Sequence, residues 1–207
     1  MASPAFLKLG AFSAFAFVGL LTISIAAYWI TGGLEFRAWV PLFASAVFFW
    51  FIATIAAYEI LAKAEYMFAR VGLGFAILSI IVLLLEAAVW GADRIVLRAS
   101  DSSNPSTLSE LRALFDSLHL LVLWLIGIWY AFWGIGFFRL TGKARFAGIA
   151  MMLVAIFHFG DYLLYRVGVS GSLAEYWHLG SQGFNLIAYV ILGLMFLEVS
   201  KSEGTEP

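Results

Sequence analysis

Apolar residues run along this chain in six long blocks divided by short polar punctuation. Read between charged residues, the blocks fall at about 9–31, 38–60, 68–92, 113–139, 145–167 and 175–198. A helix rises about 1.5 Å per residue, so about 20 apolar residues cross a hydrocarbon core about 30 Å thick. Backbone amides in lipid find no water, and each block must therefore satisfy its own hydrogen bonds as an α-helix. The first block, Leu9 to Leu34, holds 26 uncharged residues and exceeds the h-region of a signal peptide. It is read as a retained first span.

The connections are mostly short and predict antiparallel neighbours. One longer polar loop is expected from Asp93 to about Thr107, where SDSSNPST brings a turn-forming Asn-Pro. Thr107 with Glu110, and Ser172 with Glu175, fit the S/T-x-x-E capping box at the starts of the fourth and sixth spans. Pro41 is expected in the first turn of the second span, where a helix tolerates proline.

Composition agrees with this pattern. The 207 residues are 63% hydrophobic and 12% charged, with a mean hydropathy of +0.97; soluble domains average about 45–50% apolar and about 25% charged residues. The expected fold is an all-α integral membrane protein, a single six-helix transmembrane domain over 1–207 with the apolar spans 9–31 and 38–60 at its periphery. A net charge of −1 gives no reason to expect a nucleic-acid partner. The absence of cysteine excludes disulfides, cysteine-ligated iron–sulfur clusters and a thiol nucleophile.

Charge also suggests an orientation. With six spans both termini share one side, and that side collects Lys8, Lys63, Arg70, Arg139, Lys143, Arg145 and Lys201. The opposite side holds Arg37, Arg94, Arg98, Arg112 and Arg166, and no lysine. The positive-inside rule puts both termini in the cytoplasm, with the plasma membrane as the expected location.

The polar residues within the spans gather at the opposite end, between 86 and 189. Glu86 stands near the outer end of the third span. Arg112, Asp116 and His119 follow at i, i+4 and i+7, one face of the fourth. The fifth span carries HFGDYLLYR, with His158, Asp161, Tyr162, Tyr165 and Arg166; the sixth opens with His178, Gln182, Asn185 and Tyr189. An ionisable group at the bilayer centre costs about 2.5–3.5 kcal/mol on insertion scales, so such groups face one another or a wet cavity. Gly160, Gly180 and Gly183 would let the helices around the cluster approach closely. The stripes are read as the walls of an outward-facing intramembrane site.

Three functions fit that site. In the first, His119, His158 and His178 meet around a metal ion, since zinc accepts three histidines plus water and copper and iron also accept imidazole. Asp161 then orients an imidazole, and Glu86 or Asp161 carries protons for a lipophilic substrate such as a quinone. Gln182, Asn185 and Tyr162 would hold the ligand's polar parts. Haem fits less well, because axial histidines should sit at matched depth and His158 lies deeper than the other two. In the second, the cluster is a cofactor-free seam of a subunit within a larger membrane complex, with His158 as interhelical glue. The third is a proton-coupled transporter, which the apolar inner halves of the spans disfavour. The sequence contains no H-E-x-x-H, G-x-S-x-G or P-loop, and the aromatic run WYAFWGIGFF is expected to be packing.

Overall fold

The computed structural model describes residues 3–31, 36–99, 105–169 and 172–202. These form six helices: α1 (Pro4–Thr31), α2 (Phe36–Ala64), α3 (Tyr66–Ala99), α4 (Pro105–Phe138), α5 (Lys143–Arg166) and α6 (Ser172–Ser202). Each is long and apolar enough to cross a membrane. Their outer faces are greasy as well: Phe12, Phe48, Phe146, Ile156 and Leu163 are 58–64% exposed. Water would not tolerate so continuous an apolar exterior, and lipid requires it. The fold is all-helical among the described residues, with six helices able to span a membrane.

Every helix packs against its neighbours in the chain, and α6 returns to α1, so the six close a ring. The spans α1 and α2 are therefore not peripheral, as their lack of polar groups had suggested; they complete the wall. In lipid an apolar face carries no signal of whether it meets tails or protein, so sequence could not separate the two cases.

Three boundaries also differ from the sequence reading. The helix α3 continues through Asp93 to Ala99, where a loop was expected. No glycine or proline occurs between Ala92 and Ala99, so nothing in that stretch breaks a helix that has already begun. The helix α4 opens at Pro105 itself, a favoured first position, so Thr107 lies inside it and does not cap it. Pro41 sits inside α2 and not in its first turn, because that helix starts at Phe36. Ser45 Oγ donates to the Pro41 carbonyl at 2.8 Å.

Packing divides the ring into a solid half and a hollow half. In the half that carries the termini, Trp129, Trp133, Phe137, Leu192 and Phe196 are wholly buried. Here α4 and α5 approach so closely that a Cβ on Gly148 would strike the Phe138 amide and the Gly134 carbonyl. Arg139 with Glu65 (3.2 Å) and Lys143 with Glu198 (3.0 Å) pair at this end. Nearby, the Arg70 and Arg145 guanidinium groups lie over the rings of Tyr66 and Phe138 at 4.4 and 4.7 Å.

Candidate ligand-binding cavity

The hollow half holds a cavity of about 340 Å³ at the centre of the ring, to which all six helices contribute. Phe17 and Leu21 come from α1, and Phe43, Ala46, Val47 and Trp50 from α2. Leu83, Glu86 and Ala87 face it from α3, and Phe115, His119, Val122, Leu123 and Ile126 from α4. The polar residues His158, Gln182 and Asn185 close it from α5 and α6. Volumes of about 300–1,000 Å³, with mostly apolar walls and a few convergent polar groups, are usual for small-molecule sites.

Five of the eight candidate residues thus share one cavity: Glu86, His119, His158, Gln182 and Asn185. Asp161 is buried on α5 and Tyr162 half-buried, but neither lines it. The His178 side chain lies outside the described residues. The glycine expectation divides in the same way. A Cβ on Gly160 would overlap the Trp177 indole and one on Gly180 the Phe157 ring, whereas Gly183 has open space beside it. The first two admit aromatic rings, and Trp177 Nε1 donates to the Phe157 carbonyl at 2.7 Å.

His119 Nδ1 lies 2.7 Å from Glu86 Oε1, close enough for the imidazole N–H to donate to the carboxylate across the α3–α4 interface. The other carboxylate oxygen, Glu86 Oε2, is buried and has no hydrogen-bond partner among the described residues. A carboxylate oxygen in low dielectric normally finds a donor, so this atom is a cost to the fold beside the cavity. The His119 ring is held between Phe115, stacked at 5.9 Å, and Tyr165 of α5, whose centroid is 5.2 Å away. The Tyr165 hydroxyl donates to Asp116, which ties α5 to α4 beside the cavity and uses the Asp116–His119 face as the sequence arranges it.

His158 belongs to the floor. Its Nδ1 is 2.9 Å from the Val154 carbonyl and 3.0 Å from Ser181 Oγ. A carbonyl only accepts, so in the neutral ring Nδ1 carries the proton. This joins α5 to α6 in the manner of interhelical glue. Below it, Tyr130 donates to Asn185 Oδ1 at 2.5 Å, and the hydroxyls of Tyr189 and Thr54 are 3.2 Å apart. Buried tyrosine hydroxyls require such partners. Thr54, Tyr130 and the α1 and α2 wall were not legible as site residues, since each is one apolar or weakly polar position in an oily helix. Tyr189 did stand out, through its spacing from Asn185.

The metal expectation finds no support in this geometry: among the described residues no three His, Asp or Glu side chains converge. Comparison with protein-family models, with curated proteins and with solved structures found no match for this chain.

Proposed function

We propose that this is a membrane-embedded binding protein for a lipid-soluble small molecule with a polar head, held in the central cavity. The observation that carries this reading is a cavity of about 340 Å³ that all six helices line, where Glu86, His119, His158, Gln182 and Asn185 converge among apolar walls. An apolar body would rest against Phe17, Phe43, Val47, Trp50 and Leu83. Its head would meet Glu86, Gln182 and Asn185. The α2–α3 pair packs least closely among chain neighbours, and the Phe43 and Val47 side of α2 and the Leu83 and Glu86 side of α3 both turn to the cavity. Entry between these helices suits a ligand arriving through the bilayer. With the basic residues of the termini side in the cytoplasm, the cavity lies in the outer leaflet half of the plasma membrane.

The packed half speaks against transport across the ring. Trp129, Tyr130 and Trp133 lie below the cavity and are wholly buried, and a carrier needs access from both faces.

Filling the cavity tests the reading. Val122 is buried on the α4 wall, and Val122→Trp directs an indole into the space. The expected result is loss of binding of a hydrophobic fluorescent probe such as 1-aminoanthracene to protein in phosphatidylcholine nanodiscs, by about tenfold or more, with helical content unchanged. Equal binding by the variant and the parent would place the probe elsewhere and end the proposal.

A further inference from the structure

Resting on the cavity reading above, we infer that the polar head bound there is a protonated amine, so that the ligand class is lipophilic organic cations. Glu86 sits at the wall of the cavity with Oε1 engaged by His119 and Oε2 buried and unpartnered. Among the described residues that line the cavity, no lysine or arginine is present and Glu86 is the one carboxylate. The His119 imidazole engages only Oε1, so the Glu86 carboxylate is short of donors among apolar walls.

An ammonium head supplies what is missing. One N–H donates to the Glu86 carboxylate in a bond whose donor and acceptor are both ionised, which adds ion pairing to the hydrogen bond. A second can reach the side-chain oxygen of Gln182. The remaining surface of the cation meets aromatic faces: Phe17 and Trp50 lie stacked with centroids 5.7 Å apart, and Phe43 and Phe115 also line the cavity. Aromatic rings attract cations through their quadrupole, most strongly when water is excluded. A carboxylate head brings Glu86 a second acceptor and no donor, and a hydroxyl head brings one donor where an ammonium brings three.

The test compares three heads on one body: 4-phenylbutylamine, 4-phenylbutan-1-ol and 4-phenylbutyrate, each titrated calorimetrically at neutral pH. The protein is the full chain in phosphatidylcholine nanodiscs, with empty nanodiscs as the blank. The amine should bind at least about tenfold tighter than the alcohol and the carboxylate. Glu86→Gln keeps the shape and an acceptor for His119, and it should erase the preference of amine over alcohol. Helical content and a size-exclusion profile matching those of the parent show that the variant is folded.

Equal binding of amine and alcohol by the parent protein would overturn the cationic assignment and leave the cavity reading standing. An amine preference that survives in Glu86→Gln would also overturn it, by removing Glu86 as its source. Failure of all three compounds to bind the parent protein would overturn both readings together.

Discussion

Replacing Gly148 with leucine is expected to separate α5 from α4 and to cost about 3 kcal/mol or more of bundle stability, the upper end of what overpacking does. The magnitude follows from what the new side chain meets. Overpacking is usually relieved by a neighbouring side chain that changes rotamer. At Gly148 the nearest atoms are the Phe138 amide nitrogen, the Gly134 carbonyl oxygen and the Phe137 carbonyl carbon, all backbone. Two helix backbones cannot yield without moving apart, and the contact between small residues is itself what drives helix association in lipid. Equilibrium unfolding in mixed detergent and sodium dodecyl sulfate, followed by circular dichroism, reads the effect. Gly183→Leu is the matched control, since open space lies beside that glycine, and it should shift the midpoint far less. If the two variants unfold at the same detergent fraction, the close α4–α5 packing described above is wrong.

Trp133→Ala is expected to cost about 3 kcal/mol, the lower end of the range for truncating a buried tryptophan. The usual range includes a transfer of apolar surface from water, and that part is missing here because the separated helices would be solvated by lipid tails. What remains is lost packing and a lost hydrogen bond. Trp133 is wholly buried and lies against Gly72, where a Cβ would overlap the indole. Its rings meet Trp129 at 5.7 Å and Phe137 at 6.3 Å, both edge to face. Nε1 donates to the Ala69 carbonyl at 3.2 Å, joining α4 to the start of α3. Truncation empties this position in the solid half and leaves the cavity walls intact. Stability should therefore fall while probe binding in the surviving folded fraction is retained, the reverse of the pattern expected for Val122→Trp. Loss of binding at full stability would show that the floor of the cavity includes Trp133.

These contrasts bear on how stability and recognition are divided in the molecule. The half nearer the termini is dense, with aromatic rings interlocked through glycine gaps, and it resembles the interior of any well-packed bundle. The other half gives up packing for a space lined by a carboxylate, two imidazoles and two amides. A partly unsatisfied polar group is a cost to the fold, and Glu86 Oε2 is one of the places where that cost remains. Among the described residues Ser13 Oγ, Trp50 Nε1 and Trp129 Nε1 share that condition, and of the four residues Trp50 and Glu86 line the cavity.

The sequence by itself determined the six helices. Long, predominantly apolar blocks allow no other structure in lipid, and the short polar stretches between them give their number and order. It also located the polar end, because Glu86, His119, His158, Gln182 and Asn185 lie toward the same end of successive antiparallel spans, and depth is set by counting residues along a helix. Tertiary structure alone decided which of these residues meet. Rotation of each helix about its axis is fixed by packing, and periodicity constrains it weakly when the lipid-facing and protein-facing sides are equally apolar. That rotation brought His119 to Glu86 and His158 to Ser181, and left Asp161 and Tyr162 outside the cavity. It also turned Phe17 and Trp50, from two helices with nothing ionisable at depth, into walls of the site.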